Sequence, residues 1–322
     1  MKRTLLTTTI YITFIILSFA SVFAFDLPPV NLGSTSFLDG GPPAGPGFYF
    51  QEYVEYYSAN KFAGARGQKL YLPTPTGLKP AGIDTWVSLN QLIYLSNQPV
   101  LLGGKWAIDF QLPFAWLNLK PHDSSVLKEG DSGIGDIVVG PILQWDPIMG
   151  KEGPIFMHRF EFQVIFPTGQ YNEHKEINAG SNFFSLDPYW AATAFLTPHW
   201  TASWRAHYLW NAKNEDPSQR AFPGAGNTQA GQAFHINFAS AYEVLPKMLR
   251  LGLNGYYLKQ TTDTKVNGHD LSGRREQVLG IGPGGVFHFS QNSHLFFNAY
   301  FETEARNRAE GYRLNLRFVQ HF

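Results

Sequence analysis

The sequence predicts an all-β fold: a transmembrane, antiparallel, up-and-down β-barrel of about 12 strands, preceded by a cleaved signal peptide. Three observations predict it. The chain opens with one apolar leader and shows no later run long enough for a membrane helix. Beyond the leader, most of the chain alternates between apolar and polar residues with the two-residue period of a strand. Tryptophans also stand at both ends of single strands. In KWAIDFQLPFAW (105 to 116), Trp106, Ile108, Phe110, Leu112, Phe114 and Trp116 share a face, opposite Lys105, Asp109 and Gln111. Ten residues at about 3.3 Å each, tilted by about 40°, place the two tryptophans about 25 Å apart along a membrane normal, the spacing of a barrel's two aromatic girdles.

The leader has Lys2 and Arg3, a mostly apolar run from Leu5 to Ala20, and a small-x-small site at Val22-Phe23-Ala24, so residues 1–24 are expected to leave as a signal peptide. An uncleaved anchor is disfavoured by Thr7 to Thr9 inside the run. Mean hydropathy is -0.18 although 16% of residues are aromatic, a combination that suits a barrel showing Phe, Tyr and Trp to lipid. There is no cysteine, hence no disulfide, thiolate nucleophile or Cys-based metal site. Loss of Lys2 and Arg3 leaves 23 basic against 25 acidic residues, which gives nucleic acid no basic face to bind.

Residues 25–47 are rich in Pro and Gly and form an irregular lead-in that would either plug a lumen or hang free; residues 48–322 form the barrel. Strand one (48 to 58) is mixed, with Glu52 and Glu55 on opposite faces. Strand two (84 to 96) aligns Val87, Leu89, Ile93 and Leu95. The tryptophan-ended stretch is the third. The fourth (134 to 145) turns Ile137, Val139, Leu143 and Trp145 outward and Asp136 and Gln144 inward. The fifth (156 to 166) sets four phenylalanines and Val164 against Arg159, Glu161 and Gln163, and those charges must face a lumen because lipid would not solvate them. A short sixth (188 to 196) precedes a seventh (200 to 210), in which Trp200, Trp204, Tyr208 and Trp210 oppose Ser203, Arg205 and His207. The eighth (232 to 244) faces His235, Asn237 and Glu243 inward, and the ninth (248 to 258) Arg250 and Asn254. A Gly-rich tenth (277 to 289), an eleventh (294 to 304) and a C-terminal strand carrying Arg313, Asn315 and Arg317 complete the set.

Longer connections (59 to 83, 120 to 133, 167 to 187, 211 to 231, 259 to 276, 305 to 311) alternate with short ones, as extracellular loops alternate with periplasmic turns. The last strand ends on Phe322 with apolar residues at every second position except Gln320, the kind of signal that the barrel-assembly machinery recognises.

The lumen candidates for lining a solute path are Lys105, Asp109, Gln111, Asp136, Arg159, Glu161, Arg205, His207, His235, Arg250, Glu302, Arg313 and Arg317. Ion pairs that merely fill a small barrel are the competing reading. GIGPGG (280 to 285) lacks the helix a dinucleotide site needs, and a close backbone approach in a sheet accounts for it better. His174, His207 and His235 are scattered histidines with no ligand spacing, so neither a metal nor another cofactor is assigned. A lipase-like barrel enzyme would need a Ser-His pair, but Ser203 and His207, four residues apart on one strand, are about 13 Å apart, too far to bond.

GIGD (133 to 136), FPTGQY (166 to 171), NAGSNFFSLDPYW (178 to 190), GIGP (280 to 283) and NRAEGYRLNLRF (307 to 318), in that order, resemble the meta-pathway phenol-degradation family of outer-membrane barrel proteins. The likeness spans most of the mature chain, with Asn182-Phe183-Phe184 as a departure. It marks Gly133, Asp136, Pro167, Gly169, Pro188 and Gly282, with structural roles. The resemblance implies a transporter-like barrel that takes up hydrophobic or aromatic compounds in connection with aromatic degradation. The expectation is thus a monomeric channel in the outer membrane of a Gram-negative bacterium, in contact with lipid and a small apolar solute. An enzymatic barrel and a structural or adhesive barrel with a filled lumen are the alternatives.

Overall fold

The computed structural model describes residues 26–42 and 44–322; the leader assigned to residues 1–24 lies outside them. The wall consists of twelve long strands: β1 (Gly47–Ala63), β2 (Gly82–Leu101), β3 (Gly104–Lys120), β4 (Ile137–Gln144), β5 (Gly153–Phe166), β6 (Ser185–Phe195), β7 (Trp200–Asn211), β8 (Ala233–Leu245), β9 (Leu249–Gln260), β10 (Gln277–His288), β11 (Ser293–Arg306) and β12 (Arg308–His321). Each pairs antiparallel with its sequence neighbours, and β1 closes the sheet on β12 from Tyr49↔His321 to Ala63↔Arg308. Closure leaves no strand edge unpaired, which a bilayer demands because it offers backbone groups no partners. Gly133–Ile134 and Ile148–Gly150 extend the wall beside β3 and β5.

Side chains alternate as the period-2 argument requires. Outside, Phe48, Tyr94 and Trp106 form a contiguous aromatic cluster near the periplasmic turns, and Tyr56, Trp86 and Tyr312 another toward the long loops. Trp116 sits directly opposite Trp86, so Trp106 and Trp116 do belong to the two girdles. Several strands outrun the bilayer. A spanning strand needs about 9 to 11 residues, whereas β2 has 20, and the excess projects beyond the membrane. At the extracellular end Lys213–Asn214, Thr228–Gln229, Thr264–Val266 and His269–Leu271 form a separate four-stranded sheet.

One expectation needs correction, the connection at 305 to 311, and one face that the sequence left unassigned gains a side. The aligned aliphatic face of β2 points into the barrel: Leu89 pairs with the buried Tyr53, and Ile93 with the buried Asp109. Its outer face carries Ser88 and Asn90, which meet Glu52 midway between the girdles; Ser88 donates to the Glu52 carboxylate at 2.8 Å. The connection placed at 305 to 311 shrinks to the single residue Asn307, in the left-handed region at φ 52°. β11 and β12 continue into water there, so Arg306, Arg308 and Glu310 look like loop residues while remaining strand.

The chain before β1 lies inside the barrel. Asp26 and Leu27 reach the extracellular end, where Asp26 pairs with Arg274 at 3.2 Å and Leu27 N–H donates to Glu276 at 3.4 Å. From there the segment descends to β1 at the periplasmic end. Leu32 packs with Tyr256, Leu258, Val278 and Tyr300, and Phe37 with Tyr49, Ile93, Leu95, Phe296 and Val319.

Candidate functional site

The interior positions of the twelve strands converge on this descending segment. Its upper grip is neutral. Gly33 N–H donates to Asn237 Oδ1 at 3.0 Å, and Gly33 O accepts from Tyr300 O–H at 2.8 Å and Asn315 Nδ2 at 3.1 Å. Gly33 is required here: φ is +83°, and a Cβ would stand 2.6 Å from the Tyr300 ring. Lower down, Leu38 N–H donates to Ser203 Oγ at 3.0 Å, Gly40 N–H to Thr193 Oγ1 at 2.9 Å, and Gln144 Nε2 to Gly40 O at 3.2 Å.

Within the lower grip, between Leu38 and Gly40, lies a charged contact. Asp39 accepts from Arg205 Nε at 2.7 Å and Arg205 Nη2 at 2.6 Å, and Arg159 Nη2 reaches it at 3.2 Å. The Arg205 guanidinium also rests 4.1 Å from the centre of the Tyr189 ring. All three ionic groups are largely withdrawn from water, and a forked guanidinium–carboxylate pair is the arrangement that best offsets their desolvation.

The remaining candidates also face inward. Asp109 accepts from Gln91 at 2.8 Å and Gln111 at 2.6 Å, and Glu161 from Gln163 at 2.8 Å and Tyr189. Gly140, opposite Asp109, leaves the room that the Glu161 side chain occupies; a Cβ there would lie 2.4 Å from its carboxylate. Arg313 pairs with Glu55, and Glu302 accepts from Tyr57 at 2.7 Å and Tyr256 at 2.8 Å. Arg250 lies 3.5 Å from Glu243 near the periplasmic turns, and Lys105 bonds Asp146 at that rim. Asp136 sits at the extracellular end, where it accepts from the Gly169 and Ser181 backbone and pins the 167–184 loop to the wall.

His207 and His235, scattered in sequence, are directly opposite on β7 and β8, stacked 4.1 Å apart and only 17° from parallel. Asp187 accepts from both, from His207 Nδ1 at 3.0 Å and His235 Nε2 at 3.1 Å. These three could be taken for a metal triad. A ligated ion must lie near the plane of each imidazole, and two nearly parallel planes this far apart share no such point, so the trio is a hydrogen-bonded acid–imidazole cluster. Ser203 is engaged by Leu38 N–H and Thr193, and His207 by Asp187, so the two form no nucleophile–base pair. GIGPGG lies within β10, where a Cβ on Gly282 would meet Ala299 O at 2.1 Å, the close approach its composition suggested.

Sequence reasoning missed Asp39 and Asp187. Asp39 sits in a stretch without periodicity, and Asp187 precedes Pro188 in a short strand.

The segment divides the lumen into two cavities with no lining residue in common. The extracellular one, about 450 Å³, is bounded by Val87, Leu89, Pro113, Ala115, Val138, Ile165 and Phe222, with Gln111, Asp136, Arg205 and Arg313 among its polar groups. The periplasmic one, about 700 Å³, is lined by Ile93, Leu95, Ala107, Ile142, Phe296 and Val319, with Arg159, Arg250 and Arg317. Both are mainly apolar with a few fixed charges, the composition of a small-molecule site.

A closed barrel with two aromatic girdles places the protein in the outer membrane of a Gram-negative bacterium. Among solved structures the chain resembles an outer membrane channel from Pseudomonas putida F1, at 17% identity and a TM-score of 0.72 over 91% of this chain and 100% of that one. That likeness extends to the fold. The β domain of the Bordetella autotransporter BrkA follows at 11% identity and a TM-score of 0.46, over 86% of this chain and 100% of that one. The NanC porin stands at 8% and 0.42, over 84% and 99%. No curated protein sequence matches the chain. A family model, however, covers residues 59–318, and on that match the chain belongs to the family described as "Putative MetA-pathway of phenol degradation".

Proposed function

We propose that the protein is an outer-membrane channel for passive uptake of small hydrophobic or aromatic compounds, closed at rest by its own N-terminal segment. The observation that carries this reading is that two apolar-walled cavities lie at opposite ends of one lumen, and a hydrogen-bonded segment, rather than wall, lies between them. The family's description in terms of phenol degradation supports an aromatic solute, and the Pseudomonas putida neighbour is itself described as a channel. Selection would come from lumen width, aromatic contacts and the fixed charges, with no covalent step and no energy source. The protein works as a monomer and catalyses no reaction. The strand ending at Phe322, whose N–H donates to Phe48 O at 2.9 Å across the seam, serves recognition by the assembly machinery.

Flux tests the proposal. Proteoliposomes carrying lipopolysaccharide, which slows the spontaneous passage of apolar solutes, are loaded with the refolded chain and exposed to phenol-like compounds or to sugars of similar size. Aromatic entry above that of empty vesicles, with little sugar entry, is the expected result. No entry of either, with folding confirmed, would mean a filled structural barrel.

A further inference from the structure

Arg317 on β12 stands apart from the other lumen arginines. It is only 5% exposed, and it faces the periplasmic cavity. Arg159 and Arg205 share Asp39, Arg250 has Glu243, Arg308 has Glu276 and Arg313 has Glu55. No carboxylate of the described residues comes within ion-pair distance of Arg317, and its buried Nε has no partner. Its nearest neighbours are rings: the guanidinium lies 3.8 Å from the centre of Phe296 and 5.8 Å from that of Tyr53, whose hydroxyl also faces it, while the Asp39 carboxylate acts on it only from beyond ion-pair distance. Aromatic faces attract a cation and fix the plane of its fork, yet they do not replace an anion's hydrogen bonds. A charge withdrawn from water without a directly paired counter-ion is costly, and part of that cost is recovered when an anion arrives.

The cavity around it supplies the rest of the specification. Its charged lining is Arg159, Lys247, Arg250 and Arg317 against Asp39 and Glu243, and both carboxylates are already engaged by other arginines. The rest of the wall is mainly apolar, with Gln51, Gln144, His288 and His294 among its neutral polar groups, and the space opens at the periplasmic turns around the exposed Lys247. A ligand that satisfies both features has an apolar body and one planar anionic head.

We propose that the periplasmic cavity is a binding site for small apolar carboxylates, aryl or short-chain acids, with Arg317 as the group that takes the carboxylate through its two-pronged edge. The inference rests on the channel reading and narrows its solute from apolar compounds in general to apolar acids.

The test uses the full mature chain in lipid nanodiscs and calorimetric titration at pH 7 with 3-phenylpropanoate, its uncharged isostere 3-phenylpropanamide, and acetate. The acid should bind about ten- to a hundredfold more tightly than the amide, the factor that charge-assisted hydrogen bonds supply. Acetate, which has the head without the body, should bind weakly. Arg317→Gln should abolish the preference for acid over amide, Arg317→Lys should keep part of it, and Arg275→Gln, on an exposed loop, should leave it unchanged. Equal binding of acid and amide by the native protein overturns the proposal, as does a preference that survives in Arg317→Gln. If the Gln variant does not fold, the acid–amide comparison on the native chain decides. Flux of neutral aromatics without acid preference sinks this inference and spares the channel; acid binding without any flux does the reverse.

Discussion

Replacing Asp39 by Asn keeps the side chain's size and removes its charge at the waist of the lumen. Three contacts converge on that carboxylate, at 2.6, 2.7 and 3.2 Å, from two arginines that are themselves nearly inaccessible. Removing one partner from a buried ion cluster costs about 3 to 5 kcal/mol, most of it the penalty for the charges left behind. The ladder bonds of the wall are untouched, so the barrel stays closed. The strained element is the N-terminal segment, whose withdrawal would let water reach both guanidinium groups. Asp39→Asn should therefore lower stability to urea unfolding in lipid vesicles, followed by tryptophan fluorescence, by about 3 to 5 kcal/mol. It should also raise ion conductance in planar bilayers. Arg205→Gln in the same chain removes one orphaned charge, so the double variant should lose less than the sum of the two single losses. A loss below about 1 kcal/mol with unchanged conductance, or strictly additive losses, would falsify the assignment of Asp39 as the ionic anchor.

Gly40→Val should loosen the segment without opening the wall, since a Cβ there would stand 2.3 Å from Met157 O and 2.4 Å from Thr193 N; higher conductance with an unchanged barrel circular dichroism spectrum is the outcome to look for. Glu52→Leu removes a carboxylate from the lipid-facing midplane beside Ser88 and should stabilise the barrel by about 1 to 2 kcal/mol, and a loss of stability would mean that the patch is not facing lipid. At the extracellular end, burial lifts the Glu276 carboxyl from 4.5 to about 7, against the pull of Arg308 and with a push from Asp26. The folded state therefore binds this proton more tightly than the unfolded chain does. Glu276's contribution to stability is fully present below pH 4.5 and is lost as pH rises through about 7. Glu276→Gln should flatten unfolding curves across that window, and an unaltered pH dependence would show that another group sets it.

The barrel was legible because lipid on one side and polar groups on the other impose a two-residue period that few folds share. Strands such as β5, with Arg159, Glu161 and Gln163 opposite phenylalanines, leave no choice of face. β2 offered a choice, since its apolar face covers the lumen while Ser88 and Asn90 face outward, and alternation alone carries no sign. The clustering of His207, His235 and Asp187 depends on register between β6, β7 and β8, which no single strand encodes. Asp39 was invisible for a different reason: its position is set by contacts with arginines more than a hundred residues away, 120 to Arg159 and 166 to Arg205.

Those separations grow toward the seam. Gly33 bonds Tyr300 and Asn315 across 267 and 282 residues, and Ser36 bonds Asn298 across 262. The segment before β1 is thus held in part by nearly the last strands, and β1, which continues directly from it, waits for β12 before the cylinder can shut. Filling and closing the barrel become one late event in assembly, with loops of the largest size to be brought together. The lumen is fully furnished only when its last wall goes up, and a chain stalled short of β11 and β12 would leave Gly33 O and Ser36 without the partners that Tyr300, Asn315 and Asn298 supply.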